Sequence, residues 1–290
     1  MPTRDLIDLV LLGALWGASF LFMRIAAPEF GPVPLIAVRV AIAAVILVAL
    51  VVWRGSHRAF RPVAGALLIV GAINTALPFS LLAYAALTLP AGLSSTLNAS
   101  VPLFGAVIGF VWLGARPSRL RVIGLLVGFA GVLVLAWPRL TTGSDWRAVV
   151  AALSATALFG LAAHVTQRTL AGVAPLVAAA GSQLGAMVLL APLALPLWPD
   201  APISLRAWVS AVLLGVGCTA IAYVLYFRLI ARAGPSTAMA VTYLIPVFGV
   251  SWGAVLLDER LGARALAGGM LVLAGVALSA WAPRVAPPLQ

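Results

Sequence analysis

Apolar stretches long enough to cross a lipid bilayer follow one another from Leu6 to Trp281, and no Asp or Glu lies in the middle of any of them. A helix needs about 20 apolar residues to cross roughly 30 Å of hydrocarbon. Stretches such as 40–52 are continuously apolar, whereas the strands of a membrane β-barrel alternate polar and apolar residues. The chain is therefore predicted to be an all-α integral membrane protein.

Ten transmembrane helices fit the length of 290 residues. A chain that is 63% hydrophobic and 9% charged has too little polar surface for a water-soluble fold. Successive apolar stretches predict the ten spans at 6–27, 33–53, 63–87, 91–113, 119–137, 147–169, 174–196, 205–228, 235–257 and 262–281.

The basic residues are all arginine, and most of them lie in the predicted turns rather than in one patch. This spread argues against a nucleic-acid partner despite a net charge of +11. If the N-terminus is cytoplasmic, eleven arginines lie on the cytoplasmic side and six outside, with Arg39 inside the second span. The positive-inside rule then predicts a multi-pass protein of the cell inner (plasma) membrane with both termini in the cytoplasm.

An internal repeat relates the two halves of the chain. Residues 101–135 align without gaps on 245–279, and the matching pairs include Pro102 with Pro246, Gly105 with Gly249, and Arg116 with Arg260. Two five-helix repeats are predicted, 1–141 and 142–290. Because five is an odd number, the second repeat is inserted upside down relative to the first. Inverted repeats around a central cavity are typical of secondary transporters.

These residues resemble those of the EamA-type transporters of the drug/metabolite transporter superfamily. The resemblance covers nearly the whole chain and rests on Trp16-Gly17-Ala18-Ser19-Phe20, Arg39, Pro102, Pro246 and Leu257-Asp258-Glu259-Arg260-Leu261. It implies ten spans in two tandem modules and the export of small metabolites. The first half departs from the family motif, because Ala115 stands where the second half has Glu259. Glu259 is therefore predicted to cap a helix or to pair with an arginine.

Polar and aromatic side chains inside the spans are the candidates for substrate binding. Arg39 lies six residues into the second span, where it either binds substrate or contacts helix-end carbonyls. The other candidates are either ligand contacts or interhelical packing residues: Trp16, Asn74, Thr75, Ser95, Asn98, His164, Tyr223 and Tyr243. Three prolines within spans are predicted to be hinges, with passive kinks as the alternative: Pro78, Pro102 and Pro246.

Residues and motifs that the sequence lacks limit the transport and catalytic mechanisms that can be predicted for the chain. With no acidic residue in mid-span, a carboxylate that exchanges cations for protons is not predicted. His164 is the only group inside a span that titrates near neutral pH, so it is either a proton relay or a hydrogen-bonded packing residue. The single cysteine, Cys218, is predicted to pack. Since no catalytic or metal-binding motif is found, no enzyme activity, cofactor or metal site is predicted.

These features predict a secondary transporter that works by alternating access, and the resemblance implies an exporter. A mildly polar cavity with aromatic edges and no acid suits neutral or aromatic amino acids. The alternatives are transport of organic anions or of lipophilic drugs, and then a membrane enzyme or receptor. The predicted partners are a small-molecule substrate and membrane lipid, with proton coupling and facilitated diffusion both open. The protein is expected to be a monomer or a weak homodimer.

Overall fold

The computed structural model describes residues 2–114, 118–141 and 145–281 of the chain. Within these residues, ten helices are long and apolar enough to cross a membrane. In chain order these spans are Thr3–Phe30, Pro32–Trp53, His57–Ala85, Ala91–Trp112, Arg119–Pro138, Trp146–Thr169, Pro175–Ala194, Leu205–Ala233, Thr237–Leu257 and Ala263–Ala280. Ten helices overlap the ten predicted stretches in order, so the all-α membrane architecture is confirmed. Ala115 and residues 142–144, which follow the predicted repeat boundary, lie outside the described residues, and that boundary stays a prediction.

Because successive spans alternate in direction, the bundle has two faces. We call the face at which the first span begins the N-terminal face. It also carries the connections between the second and third, fourth and fifth, sixth and seventh, and eighth and ninth spans. The opposite face, called the far face, carries the remaining connections. At 28 residues, the first span is about 42 Å long and exceeds the hydrocarbon thickness, so its acidic ends reach the two interfaces.

The third and eighth spans each contain a short π-helical segment, Ala72–Ala76 and Val216–Ile221. The two segments lie at equivalent places in the two halves, so this irregularity belongs to the repeat. Pro78 follows only the first of them, so proline is not their common cause. Single π turns inside α-helices are frequent at functional sites, and the sequence analysis did not predict them.

The fourth and ninth spans are each interrupted by a turn near their start, although both were predicted as continuous. The fourth consists of Ala91–Asn98 and Val101–Leu113, and the ninth of Pro235–Met239 and Val241–Leu257. Pro102 stands in the first turn of its segment, where its missing N–H leaves no helix hydrogen bond unmade. Pro246, in contrast, lies inside its helix.

The packing of the spans repeats when the two halves are exchanged. The first span packs against the eighth and ninth, and the sixth packs in the same way against the third and fourth. The second span packs against the seventh, and the fifth packs against the tenth. Each of these pairs joins two equivalent spans, so exchanging the halves leaves the pair unchanged. This pattern agrees with two five-helix repeats that enclose a central space.

Glycines bring equivalent helices into close contact in both halves. A Cβ atom added to Gly17 would lie 2.9 Å from the backbone nitrogen of Gly249, and one added to Gly160 would lie 2.7 Å from that of Gly105. Contacts this short leave no room for a side chain, which agrees with the packing role expected for small residues one turn apart.

Polar contacts fasten the first span to the eighth at both faces. At the N-terminal face, Arg228 and Arg232 both pair with Asp8, and Arg232 Nε also lies 3.0 Å from Asp5 Oδ1. At the far face, the Glu29 carboxylate accepts hydrogen bonds from the N–H (2.7 Å) and hydroxyl (2.8 Å) of Ser204. The acidic residues of the first span therefore make their polar contacts at the two ends of the bundle.

Candidate functional site

A cavity of about 720 Å³ lies between the two halves of the bundle. Eight of the ten spans contribute lining residues, and the described residues of the fifth and tenth contribute none. The central cavity predicted from the repeat is therefore present.

The cavity reaches the N-terminal face and stops short of the far face. Its lining includes Leu170, Ala171 and Val173 in the connection between the sixth and seventh spans, which lies at the N-terminal face. None of the described residues in the far-face connections belongs to the lining. In this conformation the cavity therefore opens toward the N-terminal face.

At the far face lies a pair of side chains that we call the far-face bridge, Arg24 and Glu259. Arg24 Nη1 donates hydrogen bonds to the carbonyl oxygens of Ala86 (2.8 Å) and Leu87 (2.6 Å), just after the third span. Glu259 accepts one from the N–H of Ala91 (3.0 Å) at the start of the fourth span, and its Oε1 lies 3.9 Å from Arg24 Nε. The predicted role of Glu259 in capping and in pairing with an arginine agrees with these contacts.

Arg39 lines the cavity from the second span and is only 2% exposed. Its Nε donates a hydrogen bond of 2.9 Å to Thr219 Oγ1, and its guanidinium carbon lies 3.8 Å from the centre of the Phe79 ring. Its Nη1 is buried without a hydrogen-bond partner. A charged donor that faces a cavity in this way is able to bind an anionic group.

The contact between Arg39 and Thr219 has a counterpart in the other half. Gln183 stands where the repeat aligns it with Arg39, and its Nε2 lies 3.5 Å from Thr75 Oγ1. Thr75 and Thr219 both lie in the π-helical segments. The two halves therefore contain equivalent contacts beside the cavity, and the contact at Arg39 carries a charge whereas the contact at Gln183 does not.

Aromatic rings form much of the cavity wall. Trp16 contacts Tyr223 and Tyr226, with ring centroids 6.4 Å and 5.3 Å apart. Phe79 packs edge-on against Phe159 at 5.3 Å. Such faces bind aromatic and aliphatic groups through their apolar area.

Five of the residues proposed from the sequence line the cavity together: Trp16, Arg39, Asn74, Asn98 and Tyr223. Asn98 Oδ1 is a buried acceptor without a partner, and Tyr223 interacts with Asn74 and Arg39. These groups are concentrated around the middle of the membrane.

The other proposed binding residues do not belong to the lining. Thr75 faces Gln183, and the Ser95 hydroxyl donates to the carbonyl of Gly92 (2.9 Å). His164 Nε2 lies 2.8 Å from the carbonyl oxygen of Gly105, joining the sixth span to the fourth. Tyr243 packs against the core. The predicted hinges also lie outside the lining, which does include Ile245 beside Pro246.

Sequence reasoning missed several aromatic residues of the wall, among them Phe79, Phe159, Tyr226 and Phe227. Their apolar side chains look like ordinary packing residues in a chain this hydrophobic. The repeat did offer a signal for Thr219, since it aligns Thr219 with Thr75. Among the described residues, no group of His, Cys, Asp and Glu is arranged to hold a metal ion.

Comparison with known proteins gives a consistent result. The model of the EamA-like transporter family matches residues 6–137 and 146–281. A probable terminal-alkyne amino-acid exporter of Streptantibioticus cattleyicolor is 31% identical over 93% of this chain and 91% of its own. YedA, an uncharacterized inner membrane transporter of Escherichia coli, is 26% identical over 95% of this chain and 92% of its own. A crystal structure with 20% sequence identity has the same fold, with a TM-score of 0.66 over 98% of this chain and all of the other.

Proposed function

The chain belongs to the EamA-like transporter family, and we propose that it exports neutral or aromatic amino acids by alternating access through the central cavity. In the orientation given by the positive-inside rule, the N-terminal face is cytoplasmic. The protein then resides in the inner (plasma) membrane with the cavity open to the cytoplasm, as an exporter requires for loading.

The composition of the cavity wall is the observation that carries this proposal. The wall combines aromatic rings with one buried cation, and none of the described residues that line it is acidic. It also offers an acceptor without a partner, Asn98 Oδ1. An amino acid brings a carboxylate for the cation, an ammonium group for an acceptor and a side chain for the rings.

The relationship to an amino-acid exporter supports the same substrate class. That relative, from Streptantibioticus cattleyicolor, is named as a probable exporter of a terminal-alkyne amino acid. Its identity of 31% extends over almost the entire chain, so its substrate is a reasonable guide to the class of solute carried here.

Transport of organic anions is the second candidate, because Arg39 is buried without an acidic partner among the described residues. An anion with two or more charges would call for further cations. Among the described residues, Arg39 alone brings a charge to the lining, so the single carboxylate of an amino acid fits better.

Exchange across proteoliposomes tests the proposed function. Vesicles that contain the protein and are preloaded with phenylalanine or leucine should accumulate the same labelled amino acid, and empty vesicles should not. Phenyl phosphate and a lipophilic cation serve as competing solutes. If the folded protein exchanges no amino acid but exchanges either of these, the substrate proposal is wrong.

Two tryptophan substitutions test whether the solute passes through the central cavity: one lies inside the cavity, and one lies outside it as the matched control. Ala163 lines the cavity, so Ala163→Trp should fill it and stop exchange. Leu126 is 67% exposed on the outside of the fifth span, so Leu126→Trp should leave exchange intact. Equal activity of the two variants would place the route elsewhere in the bundle.

A further inference from the structure

We propose that Arg39 binds the carboxylate of the transported molecule and selects solutes with one negative group over amines and over doubly charged anions. This inference rests on the proposed transport function and concerns how its substrate is recognised. It assigns a specific partner, one carboxylate, to a specific group, the guanidinium of Arg39.

The first step is the unbalanced charge of Arg39. Its guanidinium group contacts the hydroxyl of Thr219 and the ring of Phe79, and both of these are uncharged. Its Nη1 has no hydrogen-bond partner, and the whole side chain is 2% exposed. Burial of a charge in an apolar bundle is costly unless an opposite charge balances it. A ligand carboxylate is able to supply both the charge and the missing hydrogen-bond acceptor.

The second step is that the protein uses its acidic residues elsewhere. Asp5 and Asp8 pair with arginines at the N-terminal face, and Glu259 lies near Arg24 at the far face. No acidic residue lines the cavity. Within the described part of the chain, the counter-charge for Arg39 therefore has to come from the solute.

The third step compares the single charge of Arg39 with the number of charges on the solute. In the part of the chain that the structure describes, Arg39 is the only charged side chain that lines the cavity. One carboxylate neutralises it, whereas a phosphate ester, with nearly two negative charges at neutral pH, leaves excess charge in an apolar cavity. An amine without a carboxylate adds a second positive charge beside the first. The site therefore favours monocarboxylates, with or without an ammonium group.

The repeat supplies a suitable test variant. Gln183 is fully buried at the equivalent position and faces a threonine of a π-helical segment, as Arg39 does. The bundle thus already accommodates glutamine in this setting. Arg39→Gln should fold, keep a donor for Thr219 and lose the charge together with the guanidinium group that carries it.

The experiment compares four ligands that share a phenyl group: phenylalanine, 3-phenylpropionate, phenethylamine and phenyl phosphate. Their binding to the purified protein is measured as the concentration-dependent rise in melting temperature. The two carboxylates should stabilise the wild-type protein most. Arg39→Gln should weaken binding of both carboxylates at least about tenfold. Arg39→Lys should bind them with intermediate affinity, because lysine keeps the positive charge but lacks the planar guanidinium group.

Gln183→Met is the matched control, since it changes a buried side chain at the equivalent position outside the lining. It should leave the order of the four ligands unchanged. The proposal is overturned if folded Arg39→Gln binds the carboxylates as tightly as the wild type does. It is also overturned if wild-type protein binds phenethylamine as well as phenylalanine, a result that does not depend on any variant folding.

The two proposals fail in different ways. If the wild type exchanges amino acids and Arg39→Gln does so with unchanged half-saturation, the function stands and the role of Arg39 is wrong. If 3-phenylpropionate binds through Arg39 but no amino acid is exchanged, the carboxylate site stands and the amino-acid substrate is wrong.

Discussion

The carboxylate of Glu259 lies 3.0 Å from the backbone nitrogen of Ala91, the first residue of the fourth span. The residue at the N-cap position of that helix is Pro90, whose side chain makes no capping hydrogen bond. The cap is instead supplied from the second half of the chain, by Glu259, which also accepts from the N–H of Gly92 (3.3 Å). The far-face bridge and the start of the fourth span thus share the same side chain.

Loss of this cap should destabilise the protein. Glu259→Ala removes two hydrogen bonds to backbone N–H groups and should cost about 1 kcal/mol, whereas Glu259→Gln keeps one acceptor and should cost less. Melting temperatures in detergent test this order. Arg260→Ala changes an exposed neighbour and is the control; an equal shift for Arg260→Ala and Glu259→Ala would argue against the cap.

The single cysteine is a native probe of access to the cavity. Cys218 lines the cavity, which opens at the N-terminal face, and is 1% exposed, so a membrane-impermeant thiol reagent should modify it slowly and faster from that side than from the other. Glu259→Ala breaks the far-face bridge and should raise labelling from the far side severalfold. The rates are measured in right-side-out and inside-out vesicles, with Cys218→Ala as the blank. Labelling from the far side that does not depend on Glu259 would contradict the role of the bridge.

Alanine at either of two equivalent glycines should weaken the bundle. Gly17→Ala and Gly160→Ala place a methyl group less than 3 Å from a neighbouring backbone, and overpacking of this kind costs about 1–3 kcal/mol. Gly65→Ala is the control, because no atom lies within 4 Å of its added Cβ. Both interface variants should give less folded protein and a lower melting temperature, while the control matches the wild type or exceeds it.

Asp8 should be a stabilising residue at the N-terminal face. It is 5% exposed and pairs with both Arg228 and Arg232. Asp8→Asn removes the charge from these contacts and should destabilise the protein by about 2 kcal/mol. Thermal unfolding measures the effect, with the exposed Arg4→Gln as control. A melting temperature within error of the wild type would show that the cluster contributes nothing.

His164 should serve packing rather than proton transfer. Its Nε2 lies 2.8 Å from the Gly105 carbonyl, and its side chain is outside the cavity lining. His164→Gln offers an amide donor for the same carbonyl, so transport and any dependence on a pH gradient should change less than about twofold. His164→Ala should instead lower the melting temperature. Loss of gradient-driven transport in the glutamine variant alone would make His164 a proton relay after all.

The spans and their order were predictable because lipid imposes a simple rule. Every backbone polar group must be satisfied inside a helix, so long apolar stretches mark the spans directly. The aligned glycines and prolines revealed the repeat. The π-helical segments and the breaks at Ala99 and Ala240 were not predictable, because their residues do not differ from those of regular helices.

The candidate site was harder to predict than the fold. Arg39 stood out because a charge in mid-membrane is rare, and Asn74 and Asn98 because amides are uncommon there. The aromatic wall did not stand out, since Phe79 and Tyr226 could equally have faced lipid or core. Ser95 and His164 show the converse difficulty, because each satisfies its hydrogen bonds on a neighbouring backbone rather than in the cavity.

The two fastenings between the first and eighth spans affect how the bundle can move. Asp8 with Arg228 and Arg232 holds one end, and Glu29 with Ser204 holds the other. Separation of the two helices at either end requires one set of polar contacts to break, whereas displacement of the pair as a rigid body requires neither. The first span belongs to one repeat and the eighth to the other. If both sets of contacts hold throughout a transport cycle, the first and eighth spans move as one body, although they belong to different repeats.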